Sequence, residues 1–205
     1  MTLSRRAALV AGIALLTLPV GGAQAADPQA VAPIQALNQG LIAGMKAGKQ
    51  TPFTQRYAAL APVIERAFDL PTILQSSVGL RWSGLAPADQ QRLLEAFRKF
   101  TVASYVANFD QFGGETLTVS PDTRSIGQDQ VVGTRLDSGG ETTPIDYVMR
   151  NGAGGWRAVD VLLNGSISQV AVNRSDWRAL LATGAGPLVD SLQRRTATLS
   201  GGAIN

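Results

Sequence analysis

The sequence predicts an α+β fold in which a curved four-stranded antiparallel sheet is covered by helices. Apolar residues recur at steps of three and four between positions 34 and 109, the helical period. From position 115 to position 164 the period switches to two, and glycine pairs interrupt it. Helices therefore come first and hairpin-linked strands follow, an order that belongs to α+β rather than to alternating α/β architecture.

Residues 26–33 carry two prolines and several alanines and read as an N-terminal lead-in. Ile34, Leu37, Leu41, Ile42 and Met45 then mark a first helix that Gly48 ends. A second helix, from about Thr54, places Tyr57, Leu60, Ile64 and Phe68 on one side, with Pro62 expected to break or kink it. Asp69 and Pro71 read as the cap and first-turn proline of a short helix to Val78, stopped by Gly79. Ala86-Pro87-Ala88-Asp89 opens the clearest helix, which runs to about Phe109. Leu93, Leu94, Phe97, Phe100, Ser104, Tyr105 and Phe109 give it a long, aromatic-rich face. Strands are expected over 115–120, 130–137, 143–151 and 156–164, with turns at Gly139-Gly140 and at 152–155. In the third strand Ile145, Tyr147 and Met149 share one side, and Asp146, Val148 and Arg150 the other. Helices near 176–182 and 187–195 and a glycine-rich frayed tail, 196–205, complete the chain. A four-stranded sheet has one face to cover, and the long aromatic helix is the expected cover. Helices laid across the concave side of such a sheet form a cone with an apolar interior.

The first 25 residues read as a secretory signal peptide. Arg5 and Arg6 precede an uncharged apolar run over 7–20, and Ala23-Gln24-Ala25 supplies a small-x-small cleavage site after Ala25. The run is shorter than the roughly twenty residues a membrane span needs. Ordinary export is preferred over the twin-arginine route, because Ala8 stands where an aromatic usually follows. The chain has no cysteine, so no lipid is attached to a signal-peptide cysteine and no disulfide forms. The mature chain, 26–205, carries 16 basic and 15 acidic residues, scattered rather than clustered. That distribution argues against nucleic acid as a partner. With no histidine, the chain holds no Ser-His-Asp arrangement and lacks the commonest metal ligand and general base. The loop at 152–155 has neither the following Lys-Ser/Thr nor the strand-to-helix context of a phosphate loop.

An ordered series of short motifs runs along the chain. It comprises Phe68-Asp69, Gly79-Leu80-Arg81-Trp82, Ala86-Pro87-Ala88-Asp89-Gln90, Ala96-Phe97 and Tyr105. It continues with Gly114-Glu115, Ile145-Asp146-Tyr147-Val148-Met149, Gly155-Trp156-Arg157-Ala158-Val159-Asp160-Val161, Gly165 and Arg174-Ser175-Asp176-Trp177. Over residues 34–195 this resembles the MlaC, or toluene-tolerance, family of periplasmic lipid-binding proteins. One departure stands out. The stretch 165–174 is one residue longer than in the phospholipid-carrying branch, and Gly165-Ser166-Ile167-Ser168 replaces its Gly-Val-Ser. With Asn173-Arg174-Ser175-Asp176, this resembles the hopanoid-biosynthesis-associated, HpnM-like branch. The resemblance implies a single lipid-binding domain over 26–195 with a fold like nuclear transport factor 2. It implies a monomeric, non-enzymatic, cofactor-free periplasmic carrier that buries a phospholipid or a hopanoid. Such a carrier shuttles lipid between inner- and outer-membrane transport components of ABC/MCE or RND type.

Candidate cavity-lining residues are Phe97, Phe100, Tyr105, Phe109, Ile145, Tyr147, Met149 and Val161, the alternative for each being ordinary core. Met suits a wall that adapts to varied chains. Arg81, Arg150 and Arg174 are the head-group candidates, since a guanidinium binds phosphate bidentately. Trp82 and Trp156 read as structural anchors, and Lys46, Lys49, Arg194 and Arg195 as solvent-facing. Asp160, among Val159, Val161 and Leu162, reads as a carboxylate paired with an arginine or with backbone amides. The rival reading is an isomerase-type enzyme on the same fold, with Asp160 and either Tyr105 or Tyr147 as its acid–base pair. Asp146 and Tyr147 are strand neighbours and face opposite ways, so they do not form such a pair. A third reading is an assembly adaptor with a filled cavity.

Overall fold

A computed structural model of the chain describes residues 24–25 and 27–204. Apart from Gln24 and Ala25, the expected signal peptide lies outside the described residues. The architecture is α+β, with one antiparallel sheet whose strands lie side by side in chain order. They are β1 Gln24–Ala25, β2 Thr116–Ile126, β3 Asp129–Ser138, β4 Glu141–Gly152, β5 Gly155–Leu163 and β6 Ile167–Ser168. The sequence predicts the four long strands; the sheet is wider. A fifth strand, β6, pairs Ile167 with Leu163 and Ser168 with Leu162, because Asn164 and Gly165 both adopt positive φ and fold the chain back sharply. On the far edge β1 pairs with Asp122 and Thr123 of β2. Two-residue strands are too short to display a period, so the sequence does not announce them.

β2 also runs past the predicted end at Ser120. Between the pairs Val119–Thr134 and Thr123–Val132, three residues of β2 oppose the single Gly133. Pro121, whose missing N–H would break a regular ladder, sits inside this bulge. A second bulge at Val159 separates the pairs Val148–Asp160 and Met149–Ala158.

Helix α1 spans Pro28–Ala47, one turn and a half earlier than the lead-in reading. Asp27 caps it by accepting from the Gln29 N–H at 2.8 Å, and Pro28 takes the first-turn position that needs no donor. Gly48, at φ 63°, ends it as expected. Helix α2, Phe53–Ala67, continues through Pro62 instead of breaking. Both Pro62 and Ala58, whose carbonyl loses its donor, are exposed, so water substitutes for the missing N–H. Phe68 leaves that helix in extended geometry, φ −113° and ψ 140°. Asp69 then donates its N–H to Ala158 O at 2.9 Å, tying the α2 end to the β5 bulge. Asp69 also accepts from Thr72 N at 3.0 Å and so starts α3, Leu70–Val78. A 3-10 turn over Gly79–Gly84 leads into α4, Pro87–Asn108.

After the sheet come α5, Gln169–Trp177, a 3-10 turn over Leu180–Thr183, and α6, Gly186–Ser200. α5 begins seven residues before its predicted start at 176, because Ser168 Oγ accepts from Ala171 N and Asp160 accepts from Val170 N. α6 passes residue 195, where the frayed tail is predicted to start; Thr196 and Ser200 are buried. The cover of the sheet also differs from the sequence reading. α1 crosses β2, β3, β4 and β5, whereas the neighbours of α4 are chiefly α6, α2 and α3. The core lies between these layers, with Ile34, Leu37 and Leu41 of α1 packed with Ile64, Leu74, Leu93 and Tyr147.

Candidate functional site

With α1 holding the sheet, α4 stands away from it, and a cavity of about 320 Å³ opens between α4 and the β4–β5 strands. α4 supplies Phe97, Phe100, Tyr105 and Phe109, and the sheet supplies Ile145, Tyr147 and Val161. Helical spacing on one side and period two on the other bring these residues together. Tyr147 pairs with Val161 across the ladder, which puts both on the cavity face. Met149 shares that face and is fully buried, but it packs in the core beyond the cavity and is not part of the wall. Its ladder partner, Ala158, is fully buried as well.

Phe68 is the most central of the wall residues that sequence reasoning misses. Its ring lies 5.6 Å from Tyr105 and 6.1 Å from Tyr147, bridging helix layer and sheet. Tyr105 stacks in turn on Phe109 at 5.9 Å and 11°. The signal for Phe68 is the cap that follows it: Asp69 starts a helix, so Phe68 is forced out of α2 and into the gap. Leu70, Ile73 and Leu163 extend the apolar wall. Phe97 meets Trp177 edge-on at 5.8 Å, which fixes α4 against α5.

Among the described residues, no Asp or Glu lines the cavity. Burial pushes the Tyr105 phenol well above its ordinary value, with Tyr147 adding to the effect, and burial likewise pushes Tyr147 up. Both hydroxyls therefore stay neutral across physiological pH. Asp160 pairs across the ladder with Val148 and so faces the opposite side of the sheet. There it accepts from Val161 N at 2.8 Å, from Val170 N at 3.1 Å and from the Ser168 hydroxyl. Its partners are backbone amides and a serine, and its work is to anchor the start of α5. The Asp160–tyrosine pair of the isomerase reading is thereby taken apart by the sheet itself. Asp146, on the same outer face, holds Arg124 at 2.7 Å.

The three head-group arginines lie elsewhere. Arg81 donates to Leu181 O at 3.2 Å and pins the second 3-10 turn. Arg150 grips Asp129 through two hydrogen bonds of 2.8 and 2.6 Å, which raise its pKa. Arg174 donates twice to Ser76 O, at 3.1 and 2.7 Å, locking α5 to α3. None lines the cavity; each is tied to a backbone or carboxylate partner that only the fold brings near. Among the described residues the one cation on the wall is Arg195 of α6, expected from the sequence to face water. Trp82 and Trp156 are half-buried against the core, as anchors.

Two other hollows differ in chemistry. A groove of about 690 Å³ between α1 and β2 is mixed, with Gln35, Asn38, Gln39 and Lys46 beside Ile42, Leu117 and Val119. One of about 410 Å³ between α1 and α2 is apolar and shares Phe109 with the α4–sheet cavity.

A sheet packed with helices around an aromatic, carboxylate-free cavity defines a small α+β domain built to enclose apolar matter. The family to which it belongs follows from the whole chain: residues 35–194 match the model of the MlaC protein family, and the chain belongs to that family. It is 25% identical over 137 residues to the toluene tolerance protein ttg2D of Pseudomonas putida, a match spanning 64% of this chain and 64% of that protein. Its fold is similar to that of a phospholipid-binding protein from Ralstonia solanacearum solved in complex with a phospholipid. That match has a TM-score of 0.72 and 21% identity, and covers 84% of this chain and 99% of the other. None of these three matches bears on the HpnM-like branch.

Proposed function

We propose that this chain is a non-enzymatic lipid carrier that buries the apolar part of its ligand between α4 and the β4–β5 strands. The observation that carries this reading is the cavity itself: largely aromatic and aliphatic walls, two neutral phenols and, among the described residues, no carboxylate. Tail burial returns roughly 25 cal/mol per Å² of apolar surface, enough to hold several hundred Å² of hydrocarbon firmly in water. The Ralstonia protein of similar fold was solved with a phospholipid, which supports a lipid as the class of ligand. At about 320 Å³ the cavity sits at the small end of the roughly 300–1,000 Å³ range of ligand sites. Loading a two-chain lipid therefore moves α4 away from the sheet.

The carrier works in the periplasm as a monomer. Cleavage after Ala25 removes β1 and leaves Asp27 in place to cap α1, so the mature chain begins at its first helix. Among the described residues no helix is long and apolar enough to cross a membrane. The family resemblance supports delivery between membrane-bound transporters of ABC/MCE or RND type. A hopanoid is the second reading of the ligand, favoured by the lengthened 165–174 segment, from which Gln169 and Asn173 reach the cavity wall.

Native mass spectrometry of the mature protein from its own periplasm, followed by solvent extraction, tests this. A stoichiometric phospholipid or hopanoid is expected, and a starting residue of Ala26. A lipid-free mass, or retention of residues 1–25, would overturn the corresponding part.

A further inference from the structure

The groove between α1 and β2 holds polar groups that the fold leaves unpaired. Asn38 of α1 is only 5% exposed, and neither its Oδ1 nor its Nδ2 has a hydrogen-bond partner among the described residues. It lines the groove beside Ile42, Leu117 and Val119. A buried carboxamide with both ends unbonded is unfavourable, so the position suits a polar group brought from outside. Gln35 and Gln39, which flank it, are exposed and can swing aside. The outer edge of β2 is open as well. β1 pairs antiparallel with Asp122 and Thr123 alone, and residues 116–119 have no strand on that side among the described residues. An open strand edge is a template for an added strand. At the far end of the groove, Lys46 Nζ sits 5.1 Å from the centroid of the exposed Phe112 ring and forms no ion pair among the described residues.

We propose that the α1–β2 groove receives an extended peptide segment of a protein partner, which adds to the β2 edge as an antiparallel strand. β1 already occupies the neighbouring stretch of this edge in that direction, with Gln24 opposite Thr123 and Ala25 opposite Asp122. Main-chain hydrogen bonds to 116–119 hold the segment, and side-chain pockets give it specificity. Every second side chain of an added strand points to the inner face, where Leu117 and Val119 pack toward the core. One such side chain is apolar and rests on Ile42, Leu117 and Val119. Another, two residues away, is a carboxamide, whose donor and acceptor satisfy both ends of Asn38. The antiparallel direction sends the C-terminal end of the segment toward Phe112 and Lys46, where an acidic residue meets the unpaired ammonium. A hydrocarbon chain would leave Asn38 and the strand edge unpaired; an amide-bearing strand satisfies them together. The site is separate from the α4–sheet cavity and does not rest on the carrier reading.

The test pans a phage-displayed library of random segments of about eight residues, long enough for one strand, on the mature protein. Enriched segments are then synthesised and titrated. They are expected to carry Asn or Gln two residues from an apolar side chain, with Asp or Glu toward the C-terminus, and to protect amides of 116–119 from hydrogen exchange. N38L weakens them about tenfold, because the partner's amide loses its hydrogen bonds, while the free protein unfolds at the same or a higher temperature. K46E folds as wild type, its side chain being exposed, and selects basic residues in place of acidic ones. Lipid loading is unchanged in both variants. Failure of any segment to enrich overturns the inference, as does binding that N38L and K46E leave unaltered. A dimer joined through the β2 edge, or a loading defect in N38L, also overturns it, by giving the groove to a second copy or to the lipid path. None of these outcomes touches the α4–sheet cavity.

Discussion

At the scale of single residues, chemistry in this protein is decided by which face of a strand a side chain occupies. Asp160 and Val161 are adjacent, yet one anchors a helix and the other lines the cavity. D160N keeps the shape but turns one acceptor into a donor facing amides and a hydroxyl. It is expected to cost about 1–3 kcal/mol in denaturant unfolding while leaving lipid loading intact. A loss of loading at unchanged stability would return Asp160 to the binding chemistry. Tyr147 gives a pH signature. Burial raises its folded pKa above the unfolded value of about 10, so the stability that its neutral hydroxyl contributes is complete below pH 10. That contribution is lost as pH climbs toward the folded value. Thermal unfolding of wild type should therefore fall off above about pH 10, and Y147F should fall off less.

Elements meet where small residues let them. A Cβ on Gly40 of α1 would lie 2.9 Å from Cγ1 of Val63 on α2, and a β-branched side chain has little freedom to yield. Alanine in a helix returns about 1 kcal/mol, and overpacking takes about 1–3 kcal/mol, so G40A is expected to be destabilised by about 1 kcal/mol. Adding V63A removes the clash and should restore or exceed wild-type stability, a reversal that a double-mutant cycle reads directly. Element existence was legible in the sequence wherever a period ran for several turns, as along α4, or wherever a cap was written locally, as at Asp69 and Gly79. It was illegible at α5. That start depends on Asp160, ten residues upstream of Val170 and meaningful there only once β5 and β6 are paired.

For the whole molecule, the governing feature is that α1 rather than α4 lies across the sheet. α4 is thereby free to stand off and enclose a space. Phe109, at the end of α4, is a wall common to this cavity and to the groove between α1 and α2. F109A is expected to join the two, costing about 2–3 kcal/mol because the ring is only half-buried, and to shift the bound population toward longer tails in extracted lipid. An unchanged chain-length profile would show that the groove takes no part. Loading should also raise the melting temperature, since ligand at a hundred times its Kd stabilises the folded state by about 2.7 kcal/mol.

By itself the sequence determined the fold class, the four long strands, the helix ends at Gly48, Asp69 and Gly79, and, Met149 apart, the residues that face one another across the cavity. These follow from local rules: the period of apolar residues fixes which side chains share a face, and capping side chains act within a few positions. The tertiary structure alone decided which helix covers the sheet, that Phe68 completes the wall while Met149 does not, and that Arg195 rather than Arg81, Arg150 or Arg174 reaches the wall. An arginine tied to a distant carbonyl or carboxylate is held where that partner lies, here away from the cavity. These partners lie 21 to 100 positions away along the chain, at distances that only folding closes.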